Sequence, residues 1–327
     1  MPFPLQSLPD PALKHVFRCM TPLELIAISV ISTKFSGLVK SLKIRGDHLK
    51  IVLRENVTVQ GAFQNGTFYI NFPTNPNGLD EKPRDIEVDR FDYVDSVWTD
   101  PGVKLRTYLE RISQNFEWDG IRIRFYTELE VSNIEALSKF FVSVTDTLIY
   151  SSCSAEYAQK VLKYFGPVTK NTKVLDDWFR GQEHCSSSLV QSFLISNYDK
   201  VHFPGIRLAT LENLLTFTAE SISIFRANFT PIDVNRFIKL WMKGCNSRLK
   251  ELCIYFNMQN AIYNWTVVLK GIQYQNVGND VERKFLGQRR WTQVRGGYDI
   301  RGRNGRCATL HMSRIGIELR ILFLVWD

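Results

Sequence analysis

His184 and Cys185 stand side by side, the one place in the chain where an imidazole adjoins a thiol and nucleophilic catalysis could be imagined. A working thiol also needs its base held by a third group, and nothing near this pair has that role. The other histidines (His15, His48, His202 and His311) are scattered singly. The six cysteines (Cys19, Cys153, Cys185, Cys245, Cys253 and Cys307) include no Cys-x-x-Cys. That spacing supports neither a zinc site nor a disulfide framework. The cysteines read as reduced, mostly buried thiols, which points to a cytoplasmic or nuclear compartment. There is no G-x-S-x-G, P-loop, dinucleotide fingerprint or H-E-x-x-H. Gly296, Gly297, Gly302 and Gly305 serve turns, because no helix start follows them to receive a phosphate. The expectation is a non-enzyme with no catalytic residue, no metal and no cofactor.

What chemistry remains is electrostatic. The formal charge is +8, and residues 281–327 hold ten Lys/Arg against four Asp/Glu, a net of +6. Arg289, Arg290 and Arg295 interleave with Trp291. Such a pattern can be a stacking platform for nucleic acid or an arginine-covered tryptophan in a hairpin. The second reading is preferred, so nucleic acid is the lesser alternative partner. The chain has 327 residues, 44% hydrophobic and 23% charged, which is ordinary globular composition. No stretch of about eighteen apolar residues exists to span a membrane. The opening MPFPLQSLPDPALKHVF lacks the basic and apolar regions of a secretory leader.

The elements that give this chain a purpose come first. Leu8-Pro9-Asp10-Pro11 predicts a helix with Asp10 as cap and Pro11 at its first position, where no N–H is missed. Leu13, Val16, Phe17 and Met20 then share one face. Thr21-Pro22-Leu23-Glu24 is in capping-box order and opens LELIAISVI, a helix apolar nearly all round. A third helix from about Ser32 carries Phe35, Leu38, Val39 and Leu42. Three short helices cannot bury this apolar surface among themselves. Either the rest of the chain covers them or a partner does.

This order of residues resembles the F-box motif over roughly residues 3–44: Leu8-Pro9, Leu13, Val16-Phe17, Thr21 to Leu25, Ile31-Ser32 and Phe35. F-boxes usually carry Val-Cys and then Trp where Ile31-Ser32 and Phe35 stand. The resemblance implies docking to the adaptor of an SCF-type (cullin–RING) ubiquitin ligase. By matched position Leu8, Pro9, Leu13, Val16, Leu25 and Ile31 would face the adaptor. Phe17, Ile26, Phe35 and Val39 would hold the helices together.

Beyond residue 45 the pattern becomes extended. HLKIVLREN and VTVQGAF precede Asn65-Gly66 and TFYINF, a hairpin signature. Residues 73–100, rich in proline and aspartate, read as loop. From residue 118, strand-like runs (IRIRF, DTLIY, TKVL, KVHF, SISIF, LKELCIYF) recur every ~25 residues between helical stretches, within the range of leucine-rich-type repeats. Thr230-Pro231-Ile232-Asp233 starts the clearest helix, with Val234, Phe237, Ile238 and Trp241 on one face and Gly244 at its end. Ser154 caps another. YDIRG and RCATLHM flank Asn304-Gly305 as a second hairpin, and IELRILFLVW should lie inside a sheet.

This body resembles the type-two F-box-associated domain of the nematode F-box families. The likeness is carried by LENLLTF, DVNRFIKLWMKGCNSRLKELCI (with Asn235, Phe237, Trp241 and Gly244) and YDIRGRNGRCATL. The expected fold is α+β: a three-helix F-box (1–45), a β-hairpin and acidic loop region (46–117), and an LRR-like α/β repeat body ending in a hairpin (118–327). The resemblance implies a substrate receptor that binds the ligase adaptor and an unknown protein target. A protein-binding scaffold without a ligase role is the alternative.

Overall fold

The computed structural model describes residues 7–64, 66–83, 86–90, 93–98, 102–150, 152–174, 197–204, 210–225, 229–257, 264–286, 291–303, 305–315 and 318–326. The chain falls into two compact units, Met1–Cys153 and Ser154–Asp327.

The first unit opens with α1 (Asp10–Arg18), α2 (Pro22–Ile31) and α3 (Thr33–Ser41). Pro9, not Asp10, is the cap of α1, and it offers no side-chain hydrogen bond. Asp10 sits one residue inside the helix, where its carboxylate meets Lys34 at 3.5 Å and complements the positive helix end. The box at Thr21 is as predicted. Glu24 N–H donates to Thr21 Oγ1, and Thr21 N–H donates to Glu24 Oε2 at 2.7 Å.

The chain then becomes β: β1 (Arg45–Gly46), β2 (His48–Leu53), β3 (Val57–Phe63), β4 (Gly66–Phe72), β5 (Ile86–Arg90) and β6 (Tyr93–Trp98). Next come α4 (Leu105–Gln114), β7 (Glu117–Trp118), β8 (Ile121–Phe125), α5 (Val131–Ser138) and β9 (Val144–Ile149). The sheet order is β9-β8-β2-β3-β4-β5-β6. Neighbours from β2 to β6 are antiparallel, while β2, β8 and β9 run parallel. Strands β5 and β6 correct the expectation of a loop over 73–100. Charged residues interrupt the apolar run, yet Ile86 and Val88 are buried with Glu87 exposed between them, which is period-two alternation. The short pair β1–β7 brings the backbone after α3 beside that after α4. Gly46 makes this possible, since a Cβ there would stand 2.3 Å from the Trp118 ring.

In the second unit lie α6 (Ala155–Phe165), β10 (Thr169–Val174), β11 (Lys200–Pro204), α7 (Leu211–Thr216), β12 (Ser221–Phe225), α8 (Pro231–Met242) and β13 (Glu251–Asn257). Four further strands follow α9 (Trp265–Val268): β14 (Tyr274–Leu286), β15 (Trp291–Arg301), β16 (Cys307–Ile315) and β17 (Glu318–Trp326). Strands β10 to β13 are parallel, and β17 joins β13 antiparallel, followed by β16, β15 and β14. The strand–helix alternation is therefore real. It ends against an antiparallel meander inside the same sheet, so the architecture is α+β with a mixed sheet.

The final strand is buried between β13 and β16, as its composition requires. Both predicted hairpins form around glycines with positive φ, Gly66 at 146° and Gly305 at 77°. Their partners Asn65 and Asn304 lie outside the described residues. Strand β14 was not anticipated. Its side chains are exposed along most of its length, which leaves no apolar alternation to read.

Candidate adaptor-docking surface

The three N-terminal helices are held by the residues expected to hold them. Phe17 and Phe35 meet edge to face with centroids 5.5 Å apart, and Ile26 and Val39 are fully buried. Ser32 serves as the C-cap of α2 and the N-cap of α3, its hydroxyl accepting from Phe35 N–H at 3.3 Å. The polar residue at that position thus has a local use.

Whether this chain or a partner covers α2 is answered largely in favour of the chain. Helix α4 packs along α2. Near the end of α4, Arg111 Nη1 donates to Ser36 Oγ, and Ser36 Oγ donates to Asn115 Oδ1, both at 3.0 Å. Leu23, Leu25, Ile26 and Val30 are consequently buried. Leu13 (0% exposed) and Leu25 (1%), both expected to face the adaptor, are enclosed within this chain. The excess apolar surface expected of the trio is smaller than composition implied, because a helix more than sixty residues away in sequence closes over it.

A reduced set remains. Pro9 is exposed, Leu8 and Val16 are half-buried, and Ile31 is 62% exposed, a large aliphatic side chain left in water. Ala27 and Ile28, four and three residues before Ile31, share its face and are half-buried. The sequence reading did not single out those two, although helical spacing around Ile31 places them on its face.

Three buried groups, two thiols and one imidazole, are held far from their reactive ranges. Burial pushes the Cys153 thiol up to about 12 and Cys253 up to about 11, far from a reactive thiolate. Burial, with Lys173 and Lys200 nearby, pushes His202 down to about 3. Among the described residues no three His, Cys, Asp or Glu side chains converge to hold a metal, and no helix is long and apolar enough to cross a membrane. His184, Cys185, Arg289 and Arg290 lie outside the described residues. Elsewhere in the basic C-terminal region, Arg295 pairs with Glu282 at 2.7 Å and Arg283 with Asp299 at 3.0 Å.

Three residues of the second resemblance, Asn235, Phe237 and Trp241, are interior ones. Phe237 and Trp241 both present edges to Phe323, at 5.8 and 4.9 Å. Asn235 Nδ2 donates to the carbonyls of Val268 and Lys270, at 2.7 and 2.9 Å. Gly244, at φ 107°, lets the chain leave α8.

With this geometry in hand, comparison with known families is decisive at two places. The family model of the F-box domain matches residues 5–45. The chain carries an F-box domain. A second model, described as F-box associated, matches residues 189–254, which contain β11, α7, β12, α8 and most of β13. The segment YDIRGRNGRCATL lies beyond that match. No curated protein and no solved structure matches the chain. F-box domains bind Skp1-type adaptors in SCF complexes, and this domain pair is typical of receptors rather than enzymes. The exposed Pro9 and Ile31 and the half-buried Leu8 and Val16 all fall within the F-box match.

Proposed function

We propose that the chain is a substrate-recognition subunit of an SCF-type ubiquitin ligase. Its F-box docks the ligase adaptor through Pro9 and Ile31, flanked by Leu8, Val16, Ala27 and Ile28. Residues 118–327, an LRR-like stack of strand–helix units in this reading, hold a protein target. No bond is made or broken by this chain. It works by raising the effective concentration of the target beside the ligase's catalytic end, in the cytoplasm or nucleus.

One observation carries the reading: an F-box match over 5–45 whose helices, with α4 packed along α2, still leave Ile31 in water. An isolated exposed isoleucine would need no explanation. One at an adaptor-facing position of a docking motif has a ready one. The test is co-purification of the adaptor with the wild-type chain and with a Pro9→Ala/Ile31→Glu variant. The variant should recover little adaptor while melting at the wild-type temperature. Equal recovery by both would remove the proposal. Adaptor binding without cullin recruitment would leave a protein-binding scaffold instead.

A further inference from the structure

One face of the first unit's sheet carries a run of half-exposed polar and basic side chains. Along β2 the even positions His48, Lys50 and Val52 are half-exposed while Leu49, Ile51 and Leu53 are buried. Parallel register sets Lys50 beside Arg122 and Val52 beside Arg124 on β8. Arg54 follows on from β2, and Tyr126 from β8. The Arg54 guanidinium lies 3.9 Å from the Tyr126 ring centroid, and Tyr150 stacks on that ring at 3.5 Å.

Four basic side chains, Lys50, Arg54, Arg122 and Arg124, therefore crowd one patch. Their proximity registers on Lys50, whose pKa is lowered first by burial and then by Arg124, with Arg122 and Arg54 adding. Arg122 has a carboxylate, Asp146, at 3.4 Å. Among the described residues Lys50, Arg54 and Arg124 have none. Like charges directly opposite on neighbouring strands destabilise a sheet. Gln60 and Tyr69 continue the same face, with Lys50 Nζ donating to Gln60 Oε1 and Gln60 Nε2 donating to the Tyr69 hydroxyl. The next acids in that direction are Asp89 and Glu87 on β5, opposite Tyr69 and Asn71 of β4 and three strands from β2. At about 4.8 Å per strand they lie beyond effective reach in physiological salt.

We propose that this face binds an acidic polypeptide segment, with Lys50, Arg54, Arg122 and Arg124 receiving carboxylates from alternate residues of an extended chain. Residues two apart on a strand repeat at ~6.7 Å, so Arg122 and Arg124 match Asp or Glu at alternate positions of a chain lying along β8. A nucleic acid fits less well. Base stacking needs an open aromatic face, and the Tyr126 ring is already engaged by Arg54 at 3.9 Å and stacked on Tyr150 at 3.5 Å. The inference rests on the receptor reading only in assigning that segment to the target.

The test uses a short labelled peptide alternating Glu and Ser, titrated into the full chain by fluorescence anisotropy at low and at physiological salt. Lys50→Glu/Arg124→Glu should weaken binding about tenfold or more. Lys160→Glu/Lys163→Glu, the same charge change on exposed positions of α6, should leave it within twofold of wild type, that is, about unchanged. The milder Lys50→Gln/Arg124→Gln pair guards against misfolding and should also lose the peptide at an unchanged melting temperature. Equal weakening by the α6 variant, or tighter binding of random single-stranded RNA than of the peptide, would overturn the proposal. Adaptor recovery is measured on the same preparations. A chain that binds peptide but no adaptor supports the acidic-segment site and refutes the receptor reading alone.

Discussion

Helices α2 and α8 begin with nearly the same sentence of sequence and end in different employment. Thr21-Pro22-Leu23-Glu24 and Thr230-Pro231-Ile232-Asp233 each build a reciprocal capping box with proline in the first turn. Beyond that start the two diverge. Helix α8 is amphipathic, and Val234, Asn235, Phe237, Ile238 and Trp241 are all buried within its unit. Helix α2 is apolar nearly all round, and after α4 has covered one flank it retains Ile31 in water with Ile28 half-buried. Local chemistry decides where a helix begins. What packs on it decides whether its family-matching residues are structural, as in the F-box-associated helix, or still available to a partner, as in the F-box.

The sharpest way to break that contrast is at the tryptophan. Trp241→Ala removes an edge contact to Phe323, the packing on Gly302 and the ring beneath Arg306. It should cost about 3–5 kcal/mol, read as a lowered urea midpoint. An unchanged midpoint would mean that the helix's matching residues are not structural. Next in size is a pair on α2 itself. Leu25→Ala should cost about 2–5 kcal/mol because the side chain is enclosed. Ile31→Ala should stay within about 0.5 kcal/mol of wild type yet reduce adaptor recovery. If Ile31→Ala destabilises as much as Leu25→Ala, the two positions do not differ in kind.

The sequence was legible where its signals are local. Both capping boxes, the glycine turns, the parallel strand runs and the buried last strand needed only spacing and residue type. What depended on distant partners was not. Leu13 and Leu25 match the docking motif but are enclosed, and nothing in LELIAISVI announces that α4 will arrive to cover it. Strands β5 and β6 were hidden by the acidic residues in their sequence, among them the exposed Glu87, and β14 by having almost no buried side at all. The basic face of the first sheet was invisible for the same reason, since Lys50 and Arg122 are neighbours only once β2 and β8 pair.

A smaller effect separates the units by pH. His202 stacks on Phe225 with centroids 5.1 Å apart, and burial, then Lys173 and Lys200, hold its pKa near about 3 against the ordinary 6.5. The unfolded chain takes up the proton as pH falls through 6.5, whereas the folded chain resists it until about 3. The stability that neutral His202 provides is therefore complete above pH 6.5 and declines below it, by up to about 1.4 kcal/mol per pH unit. His202→Phe keeps the stack and removes the titration. Urea midpoints between neutral and mildly acid pH should fall less steeply in the variant. Identical slopes would show that His202 accepts a proton in the folded state.

The smallest prediction tests the shared start directly. Thr21 Oγ1 accepts from Glu24 N–H at 3.4 Å, and Thr230 Oγ1 accepts from Asp233 N–H at 3.2 Å. Removing either hydroxyl by Thr→Ala should cost about 1 kcal/mol, with the shorter bond at Thr230 setting the larger of two similar values. The two boxes are separate hydrogen-bonded pairs, so the double variant should show the sum to within about 0.5 kcal/mol. Adaptor recovery supplies the second axis. Thr21→Ala frays the first turn of α2, while Ile31 stands at the opposite end of the same helix, so recovery should survive the loss of the cap and fail only when Ile31 itself is changed. Loss of adaptor by Thr21→Ala at unchanged global stability would move the docking surface to the Leu8–Pro9 end of the F-box.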